Sequence, residues 1–523
     1  MLTNIKYYGD GFLDMLVLFS FALLTLVWFW WTTKKLSSKP PLPPGPRGLP
    51  LVGYLPYLSP NLHRDYLALA KIYGPIFKFW MGTKLCVVIS SPQLIGQVVR
   101  EQDTVFANRD VSIAALILTH GGNDIAFASY GPKWKKLRKI FANEMSSNTV
   151  LNNLYGLRRE EVRKSVRYLY DRINTPIDIG SLVCQTAINS IMNMTIGASL
   201  KGVDAPIDSC QIKKVIEDLV MLLGKPNISD VLPMLKSFDI QGIARDITKI
   251  TQLFEAMIDN AMAKRKNAII NHVANASTRK DLLQFLMELH EDQDSETSIS
   301  MPEIKALLMD TILGATDTTT TSVEWAMSEI FNKPIVLNKI QEELKQVVGL
   351  NNNVEESHLS KLTYLNAVFK ETLRLHPPAP FLIPRFPSQT AIVGGYTIPK
   401  GTTIFLNVWS MQRDASVWEN PLEFLPERFL GVESQGDVKY NFLGKNFNYL
   451  PFGSGRRICP GFSLGEKMVM LMLASLLHCF DWQMPIGTKV DLSDKFGIVL
   501  KKKDPLIAIP KPRFSILDLY TTI

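Results

Sequence analysis

The chain is poor in cysteine and has no spacing that would use its cysteines in pairs. The five cysteines lie far apart and no CxxC occurs: Cys86, Cys184, Cys210, Cys459 and Cys479. Neither a disulfide framework nor a zinc ribbon is therefore indicated. An odd number of dispersed thiols is typical of a protein in a reducing compartment.

The chain also lacks phosphate-binding loops, internal repeats and a strong charge bias. It has no Walker A loop and no GxGxxG after a predicted strand, so it carries no recognisable nucleotide site of its own. The net charge of +8 favours acidic partners or anionic surfaces and does not by itself indicate nucleic acid. With 46% hydrophobic and 20% charged residues, and no composition shift along the chain, we expect one large globular unit.

Only one long uncharged apolar run occurs, from Met15 to Trp31, and its length approaches that of a bilayer-spanning helix. Basic residues follow it and Asp10 and Asp14 precede it, so the positive-inside rule places the rest of the chain in the cytosol. We predict a lumenal segment 1–11, a transmembrane signal-anchor 12–32, a stiff proline-rich hinge 33–50 and one domain 51–523. A cleaved signal peptide is the alternative, but no small-residue cleavage site follows the run.

Helical periodicity dominates from about residue 95 to 380, and short β-like runs at 76–80, 85–89 and 391–407 predict a minor sheet. Ser300 and Glu303 form a capping box, which predicts a helix from there to Asn332. In its middle lies GATDTTTT, residues 314–321. Its threonine hydroxyls can bond back to carbonyls, so we expect the helix to loosen there.

The segment FGSGRRICPG, residues 452–461, carries the most specific chemistry. Cys459 precedes a helical run, and a helix N-terminus favours thiolate over thiol. Gly453 and Gly455 let the backbone pass close to a flat cofactor, while Arg457 can pair with an anionic group on it. The plainer alternative is a buried cysteine in a glycine-rich turn, the interpretation adopted for the other four cysteines.

The pattern FxxGxRxCxG resembles the heme-binding signature of the cytochrome P450 family, and the resemblance extends over nearly the whole chain. It implies a mainly α fold with a minor β-sheet part, the cytochrome P450 fold, preceded by one transmembrane helix. It also implies heme b (iron protoporphyrin IX) with Cys459 as the axial ligand of the iron. The other implied heme-binding residues are Phe452, Gly455, Arg457 and Gly461, with Trp134 and Arg138 of GPKWKKLRKI at a propionate. Glu371, Arg374 and Arg428 are implied to form a buried charge triad.

The same resemblance implies that GATDTTTT is an oxygen-binding groove, with Asp317 as proton carrier and Thr318 beside bound dioxygen. Ala315 departs from the family, which usually has glycine there, and we expect its methyl group to narrow the groove. Position matching implies a mostly apolar substrate pocket. Its predicted residues are Ile117, Leu118, His120, Leu313, Gly314, Phe381, Leu382, Ile383 and Phe496.

The expected activity is a heme-thiolate monooxygenase of the endoplasmic reticulum membrane that hydroxylates a small lipophilic plant metabolite with O2. Electrons would come from NADPH through cytochrome P450 reductase, or from cytochrome b5, and no nucleic acid partner is expected. Lysines 133, 135, 136 and 139 form a charged face that is either merely solvated or a dock for an acidic flavoprotein. The predicted substrate is a terpenoid, specifically a sesquiterpene. A flavonoid or phenylpropanoid hydroxylase is the alternative, followed by a heme-thiolate isomerase and a non-enzymatic heme sensor.

Overall fold

Helices are the main secondary structure of the computed structural model, which describes residues 15–28, 40–197, 209–270, 281–292, 298–431 and 440–522. The helices are α1 Met15–Trp28, α2 Leu62–Tyr73, α3 Pro92–Gly96, α4 Ile113–Leu118, α5 Pro132–Glu144, α6 Asn148–Asn153, α7 Tyr155–Tyr170, α8 Ile179–Ile196, α9 Ser209–Gly224, α10 Ile228–Val231, α11 Ile243–Ile270, α12 Leu282–Glu291, α13 Met301–Asn332, α14 Pro334–Val347, α15 Glu356–Leu359, α16 Thr363–Leu375, α17 Val408–Met411, α18 Phe462–Cys479 and α19 Asp518–Thr521.

The β part is small and divided among four sheets. The strands are β1 Ile76–Met81, β2 Lys84–Ile89, β3 Asn108–Arg109, β4 Ile177–Asp178, β5 Arg385–Phe386, β6 Ala391–Val393, β7 Tyr396–Ile398, β8 Thr403–Leu406, β9 Phe480–Gln483, β10 Asp494–Lys495, β11 Lys501–Lys502 and β12 Ile507–Pro512. The largest sheet has the order β1-β2-β8-β5-β3, with β2 and β8 parallel. The predicted strands at 76–80, 85–89 and within 391–407 are confirmed.

Helix α13 is the central element of the domain. It begins with the predicted capping box of Ser300 and Glu303 and ends at Asn332, as predicted. Most of its residues are buried because it packs against α8, α16 and α18. At 1.5 Å per residue its 32 residues extend over about 48 Å, which is enough to cross the domain.

Two helices bear on the predicted membrane anchor. Among the described residues, only α18 is long and apolar enough to cross a membrane, but 72% of it is buried in the protein, so it is a core helix. The apolar helix α1 is exposed along its length and falls within the predicted anchor 12–32. Residues 1–14 and 29–39 lie outside the described part. The whole predicted lumenal segment, both ends of the predicted anchor and the first residues of the predicted hinge therefore lie outside it.

The described part of the predicted hinge, residues 40–50, is hydrogen-bonded to the domain. The Lys78 amide donates to the Pro44 carbonyl at 2.8 Å, and the Thr397 amide donates to the Pro41 carbonyl at 2.9 Å. A Cβ at Gly45 would lie 1.8 Å from the Lys78 carbonyl oxygen. Proline lacks an amide proton but its carbonyl still accepts, which allows this proline-rich segment to bond to the domain.

Candidate active site

The cysteine loop folds back on itself ahead of α18. The Cys459 amide donates to the Phe452 carbonyl at 2.9 Å, and the Ile458 amide donates to Gly455 at 3.1 Å. Gly455 has φ +68°, and a Cβ there would lie 2.4 Å from the Val99 carbonyl oxygen. Only glycine fits this close approach, so the glycine of the motif sets the shape of the turn that presents the cysteine.

Cys459 is a partly buried free cysteine. Burial raises the pKa of its thiol, while the Gly461 amide at the start of α18 and the Arg138 guanidinium favour the thiolate. The helix terminus thus acts in the expected direction, but burial opposes it. A cation bound at the sulfur would reverse this balance, since a coordinating thiol is deprotonated.

Helix α13 has an open face in the middle of its buried length. Gly314 is exposed, Thr318 is partly exposed, and Asp310 is partly accessible one turn earlier, so the i, i+4 and i+8 positions share one face. No atom lies within 4 Å of the position that a Cβ would take at Gly314 or at Gly461, which precedes α18. Unfilled space beside both elements fits a flat cofactor held between the cysteine loop and α13.

The threonine run does not loosen α13, which is helical without a break from Met301 to Asn332. The Thr318 hydroxyl donates to the Gly314 carbonyl at 2.7 Å, and Thr316 and Thr320 bond back four residues in the same way. These bonds add to the helix pattern, so the expected loosening is wrong. Ala315 packs partly buried against the main hydrophobic core.

Asp317 and Thr318 are adjacent in sequence but their side chains meet different surroundings. Asp317 Oδ1 forms an ion pair of 2.6 Å with Lys501 Nζ of β11. Its other carboxylate oxygen, Oδ2, is buried and has no hydrogen-bond partner among the described residues. An unpaired buried acceptor is costly, so this oxygen is a suitable place for a bound water.

Four arginines lie close to one another beside the cysteine loop: Arg109, Arg138, Arg385 and Arg457. Burial and mutual repulsion lower the pKa of Arg109 well below its usual range and that of Arg457 to about 10. The two acidic residues that face them are Asp103 and Asp124. Because positive charge exceeds negative charge in this buried cluster, it fits a cofactor that carries carboxylates.

The donors of this arginine cluster are turned to main-chain carbonyls. Arg138 donates to the Ile458 carbonyl at 2.6 Å, Trp134 Nε1 donates to Ile125 at 3.0 Å, and Arg457 donates to Ala107, Ile125 and Ala128. The guanidinium of Arg457 also lies 4.5 Å from the Trp134 ring centroid. Arg457 therefore acts by its charge and by holding the neighbouring loops.

Sequence reasoning missed Arg109 and Arg385. Arg109 donates to the Ala126 carbonyl at 3.1 Å and to Ile383, and Arg385 pairs with Asp103 at 3.3 Å and bonds the Ser454 carbonyl. A signal for Arg385 was present in the sequence, because it lies within the apolar run PFLIPRF. An arginine in such a run is expected to be buried, and a buried arginine needs an anionic partner.

The structure brings Glu371, Arg374 and Arg428 together. Arg374 Nε lies 2.7 Å from Glu371 Oε2, and Arg428 Nε lies 3.1 Å from Glu371 Oε1. Glu371 and Arg374 are fully buried, and the remaining Arg374 donors bond the carbonyls of Gln412, Pro421 and Glu423. The polar atoms of this triad are thus satisfied within the protein.

The predicted pocket residues fall into separate groups. Leu313 and Gly314 lie at the open face of α13, while Ile117 and Leu118 of α4 pack against the main core. Phe381 and Phe496 pack in an aromatic cluster with Tyr66, and Leu382 approaches Gly453 of the cysteine loop. The Ile383 carbonyl accepts from Arg109.

His120 is directed to another helix. Its Nε2 lies 3.3 Å from Glu255 Oε1 of α11. This contact joins the turn after α4 to α11, and the role of His120 in orienting a substrate group stays a prediction.

The fold and the site define a protein that holds a flat, anionic cofactor between a cysteine loop and a long buried helix. The protein-family model "Cytochrome P450" matches residues 43–509, and the chain belongs to the cytochrome P450 family. The protein is a cytochrome P450 monooxygenase with heme as its cofactor, and it uses O2, a small substrate and a redox partner.

The similar curated proteins are plant monooxygenases. The chain is 34% identical over 502 residues to 3,9-dihydroxypterocarpan 6A-monooxygenase of Glycine max, covering 94% of this chain and 97% of that protein. It is 36% identical over 486 residues to flavonoid 3'-monooxygenase of Petunia hybrida, covering 91% and 93%. A zebra fish cytochrome P450 solved with abiraterone shares the fold at a TM-score of 0.73 and 24% identity, covering 87% of this chain and 100% of that one.

Proposed function

We propose that this enzyme hydroxylates a flavonoid or a related phenylpropanoid-derived polyphenol. The observation that carries the proposal is full-length similarity to flavonoid 3'-monooxygenases and to a pterocarpan monooxygenase. These relatives favour the alternative over the sesquiterpene oxidation predicted first. Gly314 leaves space on the open face of α13, which is compatible with a planar aromatic substrate.

In this proposal Cys459 would bind the heme iron through its sulfur, and Phe452, Gly455 and Gly461 would line the cofactor. Phe452 packs edge-on against Phe442 at 5.0 Å, which supports the loop. The arginine cluster would neutralise the cofactor's carboxylates, and Trp134 would pack beside them. When bound, heme supplies the electron-transfer and oxygen chemistry that amino acid side chains lack.

Thr318 and Asp317 would hold and move protons on α13. The Thr318 hydroxyl lies at the open face and donates to the Gly314 carbonyl, from which it could turn to a bound water. Asp317 is held by Lys501, and its other oxygen, which has no partner among the described residues, could bind a water. A proton would pass from that water towards Thr318.

The proposed electron donor is NADPH–cytochrome P450 reductase, with cytochrome b5 as a second donor, at the endoplasmic reticulum membrane. The apolar helix α1 supports a membrane anchor, and the catalytic domain would face the cytosol. On the lysine face of α5, Lys133 and Lys136 lie near Glu303, whereas Lys135 and Lys139 are exposed and form no ion pair with a described residue. Lys135 and Lys139 are the better candidates for binding an acidic flavoprotein.

The decisive experiment offers a panel of flavonoids, pterocarpans and sesquiterpenes to microsomes that contain the full chain and a plant reductase, with and without NADPH. We expect an NADPH-dependent product with one added oxygen from a polyphenol. Sesquiterpene products alone would overturn the proposed substrate. Cys459→Ser is the matched variant and should lose the thiolate-type spectrum of the reduced carbon monoxide complex; an unchanged spectrum would exclude Cys459 as ligand.

A second test addresses Thr318. Thr318→Ala removes the hydroxyl at the open face, so we expect several-fold more peroxide released per NADPH consumed, because proton delivery is one of the steps that side chains accelerate by about 10²–10⁴-fold. Thr318→Ser keeps the hydroxyl and should retain most of the coupling. Full coupling in the alanine variant would refute the role.

A further inference from the structure

A short loop between α4 and α5, residues 124–128, connects α13 to the arginine cluster. Asp310 Oδ2 of α13 accepts the Ile125 amide at 2.7 Å and the Ala126 amide at 3.1 Å. The carbonyls of the same loop accept hydrogen bonds from the cationic side. The Ile125 carbonyl accepts from Trp134 and Arg457. The Ala126 carbonyl accepts from Arg109, and the Ala128 carbonyl accepts from Arg457. One carboxyl on α13 thus fastens the loop whose carbonyls hold the cations.

The loop also contains a second acid, Asp124, which is fully buried. Its carboxylate accepts the Phe127 and Ala128 amides at 2.8 Å each. Asp310 and Asp124 together therefore bind four successive amides of the loop, those of residues 125–128. Burial raises the pKa of Asp124, while its two loop amides and Arg457 lower it.

We propose that Asp310 is a positioning residue for the heme: through the 124–128 loop it sets the positions of Trp134, Arg109 and Arg457 against the cofactor's carboxylates. The inference rests on the proposed placement of the heme between Cys459 and α13. It assigns Asp310 no contact with substrate or oxygen.

The test compares substitutions at Asp310 in the full-length holoenzyme by the rate of heme transfer to apomyoglobin. Asp310→Ala leaves two loop amides without their acceptor, so we expect heme loss about tenfold faster. Asp310→Asn keeps a carbonyl acceptor for these amides and should therefore lose heme at close to the wild-type rate.

The matched control is Glu324→Ala, which removes another buried acid of α13 that binds the Leu506 amide at 2.9 Å. It should lower stability without accelerating heme loss. The proposal is overturned if Asp310→Ala loses heme no faster than Glu324→Ala. It is equally overturned if Asp310→Asn loses heme as fast as Asp310→Ala. Failure of the heme placement itself would appear separately, as an unchanged spectrum in Cys459→Ser.

Discussion

Two buried ion clusters flank the heme-binding region, and they differ in how their charge is balanced. In the triad, Glu371 binds both Arg374 and Arg428, and the remaining Arg374 donors reach carbonyls. In the arginine cluster, four guanidiniums face Asp103 and Asp124 among the described residues, and burial together with mutual repulsion lowers the pKa of Arg109 and Arg457. The first cluster is satisfied within the protein, whereas we propose that an anionic cofactor balances the second. Charge balance therefore separates a structural cluster from a binding cluster.

The largest effect is expected at the triad. Glu371→Ala leaves the buried Arg374 without its anion, and breaking a buried ion pair on one side costs about 3 to 5 kcal/mol. Denaturant unfolding should show this loss with and without heme, because the triad does not depend on the cofactor. A stability loss that appeared only in the holoenzyme would remove the distinction between the clusters.

A smaller and different effect is expected at Arg109. Arg109→Met removes two bonds to carbonyls, which costs about 1 to 3 kcal/mol, but it also relieves repulsion within the cluster. Apoprotein stability should therefore fall less than in Glu371→Ala, while heme affinity in a hemin titration falls roughly tenfold because a charge-assisted contact is lost. Unchanged heme affinity would show that the excess charge does not serve the cofactor.

The smallest effect is expected on the lysine face of α5. There too, a charge that is paired within the protein can be compared with one that is not. Lys136 bonds the Ser298 carbonyl and pairs with Glu303 at 3.3 Å, whereas Lys139 is exposed and no ion pair joins it to a described residue. Lys139→Gln should slow reduction by the flavoprotein about two- to threefold at low ionic strength, and salt should abolish the difference, because exposed interfacial charges act mainly on encounter.

Lys136→Gln is the matched variant, since it removes one charge from the same helix. We expect it to affect stability more than the reduction rate, because its charge is already paired. Stopped-flow reduction over a salt series compares the two. Equal effects at every ionic strength would show that pairing within the protein does not decide which lysine is available to a partner.

The parts of the site that sequence predicted are those that depend on near neighbours. The turn around Cys459 follows from glycines within six residues, and α13 follows from a capping box and an apolar run. The side chain of Glu371 reaches Arg374 because the two are three residues apart on one helix. The substrate class proposed here, a polyphenol, was predicted only as an alternative, since pocket shape depends on segments far apart in the chain.

The threonine run of α13 shows where local reasoning was wrong. Its hydroxyls predict a loosened helix, but they bond to carbonyls four residues earlier and the helix stays unbroken. Other contacts could not be predicted because distant segments supply them. Carbonyls of the 40–50 segment accept from Lys78 and Thr397, and Glu255 of α11 lies beside His120.

The sequence by itself determined the family, the cofactor loop and the long helix opposite it, because spacing within a few residues dictates turns and helix faces. Only the tertiary structure decided which charges are balanced. Arg109, Arg385 and Asp310 join the site from segments more than 70 residues apart, and the energy of a buried charge depends on every group that surrounds it in space.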